Sequence, residues 1–145
     1  MPNLPCLVAT PTRELFSGEV FYVEVPGSEG NYGVMKGHEM FLATNRPGTL
    51  TLWLDEAGNE KRQFAVYEGA TQVFNDKVTV LARFGADVDT IDPEVVQGKV
   101  DRIKGVIADL EQTHGEEGDA YGAVLETSKS RLAWYETQLR VVGAA

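Results

Sequence analysis

The first 86 residues contain short runs in which apolar and polar positions alternate, separated by turn residues. Residues 49–54 alternate with period two, as expected for a strand that is buried on one face. Asn75-Asp76 is a strong signal for a two-residue hairpin turn before the run 77–82. Residues 16–18 and 68–70 are expected to be turns. Short strands at this regular spacing predict a β-sandwich or flattened barrel.

After residue 86 the apolar spacing becomes that of a helix. Asp92-Pro93 fits an N-cap followed by proline at the first helical position, at the end of an acidic, hinge-like segment, 87–93. A break at 113–118 separates two helices, which are predicted to form an antiparallel hairpin. The prediction rests on residues that recur every three or four positions and so share one face of each helix, which we call its seam. They are Val96, Val100, Ile103, Ile107 and Leu110 in the first helix, and Tyr121, Leu125, Ser128, Leu132, Tyr135 and Leu139 in the second.

A glycine-rich stretch, residues 27–38, separates two apolar runs of the β region. Gly27, Gly30, Gly33 and Gly37 fall within eleven residues, a density that is typical of positive φ angles or of close backbone approach. We therefore predict a shaped, exposed loop with one short extended piece at 33–35. Taken alone, such a loop is more often a plain connector between strands.

Composition and charge narrow the class of protein. The chain has 145 residues, 43% of them hydrophobic and 24% charged, which suits a soluble protein with one modest core. The formal net charge of -9 argues against non-specific binding to nucleic acid or to an anionic membrane. Cys6 is the only cysteine, so an internal disulfide is impossible. We expect neither a signal peptide nor a membrane-spanning segment, and any membrane association has to go through a protein partner.

No catalytic or metal-binding constellation is predicted. His38 and His114 are the only histidines, and neither has a carboxylate or second histidine at ligand spacing. Nucleophile and phosphate-loop motifs are lacking, and the acidic pairs Asp55-Glu56 and Glu116-Glu117 fall in predicted turns. The expectation is a chain with no catalytic residues, no metal and no cofactor.

Several motifs are spread over nearly the whole length of the chain: Leu15-Phe16-Ser17-Gly18, Val25, the Gly-Ser-Glu-Gly-x-x-Gly-Val-x-x-Gly-His pattern at 27–38, the strand 78–82, His114-Gly115, Tyr121, and Arg131 with Gln138-Leu139-Arg140. Together they resemble the epsilon subunit of the bacterial F-type ATP synthase. The resemblance implies a sandwich of about ten short strands at 1–86 that binds the gamma subunit and the rotor ring. It also implies a regulatory helical hairpin at 87–145.

The resemblance implies a non-catalytic subunit of the central stalk, which couples rotation of a proton-driven ring to the catalytic head. The residues implied in ring contact are Glu29, Gly30, Asn31, Gly33 and His38. The resemblance also implies a place at the cytoplasmic face of the cell membrane, through the ATP synthase complex and without direct membrane insertion. Departures from the family pattern at Lys36, Glu39 and Met40 imply that some ring contacts differ here.

Some members of that family bind ATP through an Ile/Leu-Asp-x-x-Arg-Ala motif at the start of the hairpin. Ile91 and Asp92 match it, but Val95 stands at the arginine position. Valine lacks the guanidinium donors that pair with phosphate, so tight nucleotide binding is not expected. Asp92 is better explained as a helix cap.

The C-terminal helix is the one mildly basic element of an acidic chain. Residues 120–145 have a net charge of +1, through Lys129, Arg131 and Arg140, and residues 1–119 have a net charge of -10. The resemblance implies that this helix can extend, meet the catalytic β subunits and inhibit ATP hydrolysis modestly; a solvated helix face is the alternative. The alternative function for the whole chain is a free-standing β-sandwich binding module whose hairpin mediates self-association.

Overall fold

The computed structural model describes residues 3–113 and 119–144, and the chain divides into two compact units, Met1–Thr90 and Ile91–Ala145. The first unit contains strands and the second contains helices. The elements, in chain order, are β1 (Leu4–Ala9), β2 (Glu14–Val20), β3 (Tyr22–Gly27), β4 (Gly30–Met35), β5 (Phe41–Thr44), β6 (Gly48–Trp53), β7 (Lys61–Phe74), β8 (Lys77–Asp87), a 3-10 helix (Val88–Thr90), α1 (Pro93–Thr113) and α2 (Asp119–Ala144).

The long antiparallel pair β7–β8 belongs to both layers of a sandwich. The start of β8 pairs in parallel with β1, and the end of β7 pairs with β5. The start of β7 pairs with β6, which leads on to β3 and β4. The first layer is therefore β2-β1-β8-β7-β5, and the second layer is β8-β7-β6-β3-β4.

Alternation along the strands builds the core between these layers. In β1, for example, Leu4, Cys6 and Val8 are buried and the intervening residues are more exposed. Burial of one side chain of the size of Phe64 contributes about 1.5–3 kcal/mol. Burial also raises the pKa of the Cys6 thiol to about 12, so this cysteine behaves as a small apolar core residue at neutral pH. The core residues include Leu4, Cys6, Val8, Val20, Val23, Val25, Val34, Leu50, Leu52, Phe64, Val66, Val73, Val78 and Val80.

Backbone geometry at Glu68-Gly69 lets β7 pass from one layer to the other. Both residues have positive φ angles, 52° for Glu68 and 121° for Gly69. A Cβ atom at Gly69 would overlap the Leu81 carbonyl group of β8. Only glycine therefore combines this backbone conformation with so close an approach of the paired strand.

The predicted fold class, a β-sandwich followed by two helices, is confirmed, with one change in the strand count. The described residues contain eight strands, not about ten, because β7 and β8 each supply a segment to both layers. The turns expected at 16–18 and 68–70 are wrong. Gly18 lies inside β2, paired with Cys6, and Gly69 bends β7 without ending it. The turn at Asn75-Asp76 is confirmed, with φ angles of 52° and 55°.

Strand β8 continues to Asp87, and the division between the two units falls after Thr90. The predicted cap of α1 is confirmed: the Asp92 carboxylate accepts a hydrogen bond from the Glu94 amide at 3.0 Å. Residues 114–118, which include His114, lie outside the described residues. No helix in the described part of the chain is both long and apolar enough to cross a membrane.

The two helices pack against each other in antiparallel fashion. Near the start of α1, Lys99 lies 5.9 Å from the centre of the Tyr135 ring, and near its end Glu111 lies 3.9 Å from Lys129. In the predicted seams Val96, Val100 and Ser128 are buried and the other described members are half-buried. The side chain of Tyr121 lies outside the described part. The seam of α2 also contains Thr137, Gln138 and Val141, which are buried and which the spacing did not predict.

Replacement of Gly69 with alanine should destabilise the sandwich by about 3 kcal/mol, since it adds backbone strain to an overlap with Leu81. Gly37→Ala is the matched control: Gly37 also has a positive φ, 89°, but a Cβ there meets nothing within 4 Å. That control should cost only about 1 kcal/mol. Urea unfolding measures both losses of unfolding free energy. In a Trp134→Phe background the fluorescence comes from Trp53 alone. Equal losses would contradict the close approach at Gly69.

Candidate functional site

The glycine-rich stretch forms a β-hairpin and not the predicted loop. Gly27 pairs with Gly30 across a two-residue turn, Ser28-Glu29, and Gly30–Met35 is strand β4. A Cβ at Gly27 would lie 2.6 Å from the Gly30 carbonyl oxygen and 2.7 Å from the Tyr32 ring. The first glycine of the motif therefore permits a close turn, and the predicted ring-contact residues Glu29, Gly30 and Asn31 lie at its tip.

Hydrogen bonds join this tip to β5 and to the residues that follow it. The Ser28 amide donates to the Thr44 carbonyl at 3.0 Å, and the hydroxyl groups of Ser28 and Thr44 lie 2.8 Å apart. The Arg46 guanidinium donates to the Asn31 amide oxygen at 2.6 Å. Residues 27–32 of the hairpin and 41–44 of β5 thereby enclose an open depression of about 670 Å³. We call this region the tip depression.

His38 lies beyond the opposite end of β4 from the turn. Its amide donates to the Met35 carbonyl at 3.1 Å, and its ring centre lies 4.9 Å from that of Phe41. The Asp76 carboxylate holds the same segment by accepting a hydrogen bond from the Gly37 amide at 3.2 Å. A strand as long as β4 spans about 17 Å. Glu29 and His38 therefore lie beyond opposite ends of β4 with Gly33 between them, and the Phe41 ring that His38 contacts also lines the tip depression.

Tyr32 connects the middle of this region to the core. Its ring meets the Phe41 ring edge-on, with centres 5.3 Å apart. Burial raises the pKa of the Tyr32 phenol, and the adjacent Thr71 side chain offsets part of that rise. Thr71 in turn donates to the buried Asn45 at 2.9 Å. The tip depression is therefore backed by packed aromatic and polar groups, so its shape is set by the core.

Gly33 makes room for an aromatic side chain on the neighbouring strand. A Cβ at Gly33 would overlap the ring of Tyr22, which packs edge-on against Trp53 with ring centres 5.1 Å apart. The Lys61 ammonium lies 4.8 Å from the centre of the Trp53 ring on the other side of this cluster. Gly33 has no positive φ. Close approach, not a special backbone conformation, is the reason for glycine at this position.

A second surface, which the sequence did not predict, is the solvent side of the first layer. Leu42 pairs with Gln72, Gln72 with Thr79, and Ala70 with Leu81, so these side chains share one face. Leu42 is 73% exposed, Leu81 52% and Phe74, two residues from Gln72, 51%. We call this surface the outer face. Beside Leu81 it has a mostly apolar depression of about 410 Å³, lined by Ala9, Thr10, Pro11, Gly69, Ala70, Leu81, Ala82 and Arg83.

An exposed apolar area of this kind is typical of a protein-binding surface. The signal in the sequence is weak: Leu81 and Phe74 stand where the period-two pattern calls for polar residues. Apolar residues on both sides of a strand equally suit a fully buried strand. Only the pairing of the strands shows which of them point outward.

The three predicted regulatory cations do not share one face of α2. The Lys129 ammonium lies 3.9 Å from the Glu111 carboxylate of α1, and Arg140 donates to the Thr137 hydroxyl at 3.3 Å. Arg131 lies about 180° around the helix from Arg140 at 3.6 residues per turn. Arg131 lines a shallow depression with Ile103 and Ser128. The net positive charge of this helix is therefore dispersed around it.

The degenerate nucleotide motif lies at the start of the helical unit. Ile91 and Asp92 precede α1, and Asp92 is occupied as its cap. Val95 lies in the first turn of α1 and is 55% exposed. Its apolar side chain offers no donor to a phosphate group at that position.

Comparison with known families gives a match over most of the first unit. Residues 3–85 match the model of the ATP synthase, Delta/Epsilon chain, beta-sandwich domain. Among curated relatives, an ATP synthase epsilon chain from a Bradyrhizobium species is 35% identical over 112 residues, covering 77% of this chain and 78% of that one. An ATP synthase epsilon chain from Rhodopseudomonas palustris is 34% identical over 131 residues, covering 90% and 87%.

Solved structures share the fold at lower identity. A chain of the Euglena gracilis mitochondrial ATP synthase, solved with its c-ring, superposes with a TM-score of 0.66 at 19% identity, covering 94% of this chain and 79% of that chain. A chain from the central stalk and c-ring of the Tetrahymena thermophila mitochondrial ATP synthase gives a TM-score of 0.52 at 13% identity, covering 93% and 95%. At these identities the likeness concerns the fold alone.

Substitution of Gly33 with valine should cost about 1–3 kcal/mol of unfolding free energy, because the new side chain displaces the Tyr22 ring. The same substitution in a Tyr22→Ala background should cost less than about 1 kcal/mol, since the overlapping group is gone. Urea unfolding of the four members of this double-mutant cycle measures the coupling. Additive losses would show that Tyr22 is not the reason for glycine at position 33.

Proposed function

This chain belongs to the ATP synthase delta/epsilon family, and we propose that it joins the gamma subunit to the rotor ring of an F-type ATP synthase. It is a non-catalytic subunit, as the epsilon-chain relatives and the family match indicate. Its contribution is mechanical: a folded sandwich seated between two partners passes rotation from one to the other. The exposed apolar outer face of the first layer is the observation that carries the proposal.

The outer face is the surface that we assign to gamma. Leu42, Phe74 and Leu81 expose apolar area that water solvates poorly, and a protein partner that covers them gains the free energy of that burial. The depression beside Leu81 can accept one apolar side chain of the partner. A central apolar contact of this kind, with a polar rim, is the usual composition of a stable interface.

The tip depression is the surface that we assign to the rotor ring. Glu29, Gly30 and Asn31 stand at its rim, and hydrogen bonds to Thr44 and Arg46 hold the turn in place. A seat that transmits torque needs such fixed geometry, because a mobile loop would absorb rotation as bending. His38, beyond the far end of β4, contacts the Phe41 ring that lines this depression. The complex would hold the chain peripherally at the cytoplasmic face of the cell membrane.

The alternative of a free-standing binding module is not favoured. Epsilon-chain relatives align with this chain over 78–87% of their own lengths, the helical region included in the longer match. A module with an unrelated role would not be expected to retain both parts of such a subunit.

The helical unit is the part to which we assign regulation of ATP hydrolysis. Fewer apolar side chains are buried in this unit than in the sandwich. In its described part the fully buried apolar residues are Val96, Val100 and Val141. The charges of Lys129, Arg131 and Arg140 are dispersed and exposed, and each exposed ion pair is worth only about 0.2–1 kcal/mol. In this proposal α2 separates from α1, and the apolar residues of its seam contact the gamma and catalytic β subunits instead.

Lysine in place of Leu81 or Leu42 should weaken binding to purified gamma by about tenfold or more, because the complex would bury an unpaired charge. Met35→Lys is the matched control, since Met35 is 48% exposed but lies on β4 in the second layer. Titration of each variant with gamma, followed by calorimetry, gives the dissociation constants. Unchanged affinity in both outer-face variants would remove the assignment of that face to gamma.

Deletion of residues 119–145 should raise ATP hydrolysis by the assembled complex while proton-driven synthesis changes less. The sandwich has its own core, so the shortened chain should still assemble. The control is the variant Lys129→Gln, Arg131→Gln, Arg140→Gln, which removes the charges but keeps the seam and should change hydrolysis by only a few fold. Equal hydrolysis rates at low ATP with and without residues 119–145 would mean that the helical unit does not regulate.

A further inference from the structure

One ion pair stands at the point where the chain leaves the sandwich. The Arg62 guanidinium on β7 lies 2.6 Å from the Asp87 carboxylate, at the last residue of β8. The pair is partly buried, with 37% of the Arg62 side chain and 20% of the Asp87 side chain exposed. Phe64, which pairs with Asp87 across the strands, lies under the guanidinium at 5.3 Å, and Phe16 of β2 lies on it at 5.6 Å.

Asp87 also accepts hydrogen bonds from the 3-10 helix that follows, Val88–Thr90. Its second carboxylate oxygen accepts a hydrogen bond from the Asp89 amide at 2.9 Å, and its carbonyl accepts one from the Thr90 hydroxyl at 2.7 Å. One carboxylate thus connects the strand to a guanidinium and to the turn beyond it. Charge-assisted bonds of this kind are among the stronger ones available to a protein surface.

The chain is held again immediately afterwards, at the start of α1. The Asp92 carboxylate accepts from the Glu94 amide at 3.0 Å, and its carbonyl accepts from the Val96 amide at 3.0 Å. Pro93 keeps the preceding residue out of helical geometry, which gives the helix a fixed start. Ile91 and Asp92 are the residues between the end of the 3-10 helix and the start of α1.

We propose that the Arg62–Asp87 pair is a clamp that fixes the chain up to Thr90 and so confines reorientation of the helical unit to the Ile91-Asp92 backbone. The proposal narrows the hinge-like segment 87–93 to two residues. It rests on the proposed regulatory function only in that regulation requires the helical unit to move. Arg62 and Asp87 act as positioning residues: they hold the point about which the helices turn. A device that presents α2 to partner subunits needs such a defined pivot.

The test is a distance distribution between one spin label on each unit of the full chain. Glu56→Cys and Val106→Cys supply exposed attachment points, and Cys6 is buried and stays unlabelled. Asp87→Asn and Arg62→Met each remove one charge of the pair while keeping a similar shape. We expect each variant to increase the width of the distance distribution by about twofold. A Gly-Gly insertion after Ile91 serves as the reference for a broadened distribution. The double variant should be no broader than either single one, because both act on one contact.

Asp89→Asn is the matched control. It removes one negative charge two residues after Asp87, within the 3-10 helix, but leaves the Asp89 amide and the Arg62–Asp87 pair in place, so the distribution should stay as narrow as in the parent. An unchanged width in Asp87→Asn and Arg62→Met, or an equal broadening in Asp89→Asn, would overturn the clamp.

The solvent exchange rate of the Asp89 amide gives a readout that does not depend on the helical unit. It should rise by about tenfold in an Asp87→Ala variant that lacks the acceptor, and a rate equal to that of the parent would count against the clamp. Hydrolysis by the assembled complex separates the two proposals. If deletion of residues 119–145 leaves hydrolysis unchanged while the clamp variants broaden the distribution, regulation fails and the clamp stands.

Discussion

The structure depends on the passage of β7 and β8 through both layers of the sandwich. Two strands that are covalently continuous across the layers fix their relative position and register, so the inward side chains of β1, β3 and β6 meet in one core. The passage requires a backbone that bends without losing its partner, and Gly69 permits it by approaching the Leu81 carbonyl where no Cβ fits. Surface features follow from the same constraint. The outer face exists because the end of β7 and the start of β8 turn their alternate side chains away from that core.

The sequence predicted the type of each unit better than the path of the chain. Period-two runs such as 49–54 identify strands because one face is buried, and the seam of α1 identifies a helix because its spacing fits no strand. Asn75-Asp76 was predictable since few residues other than glycine, asparagine and aspartate adopt the positive φ angles of such a turn. The bend of β7 at Gly69 was not predictable, because a glycine is equally typical of a turn and of a bend inside a strand. Which one forms depends on the pairing with β8, a contact distant in sequence.

The candidate site shows the same division between local and distant causes. The glycines at 27, 30 and 33 suggested a loop, but aromatic rings from other positions explain two of them: Tyr32 lies over Gly27, and Tyr22 lies over Gly33. Such contacts cannot be inferred from spacing. The outer face escaped prediction for a related reason, because Leu42, Phe74 and Leu81 are ordinary strand residues until their partners are known. Composition predicted that α2 is mildly basic, and helical periodicity places Arg131 and Arg140 on opposite sides of it.

The contrast in burial between the two units supports our proposal that the helical unit moves while the sandwich stays fixed. In the sandwich, residues from almost every strand are fully buried in a single cluster, so local opening of one strand exposes the packing of several others and is costly. In the helical unit, most of the described seam residues are only half-buried, and the fully buried set includes the polar side chains of Ser128, Thr137 and Gln138. Polar seam residues find new partners more readily than a close-packed apolar core does, because hydrogen bonds exchange with little net change in free energy. In the regulation that we propose, a differential affinity of a few kcal/mol for partner subunits would then shift the helices from one packing to another. The sandwich, held by β7 and β8, can meanwhile keep in place the two surfaces that we assign to its partners.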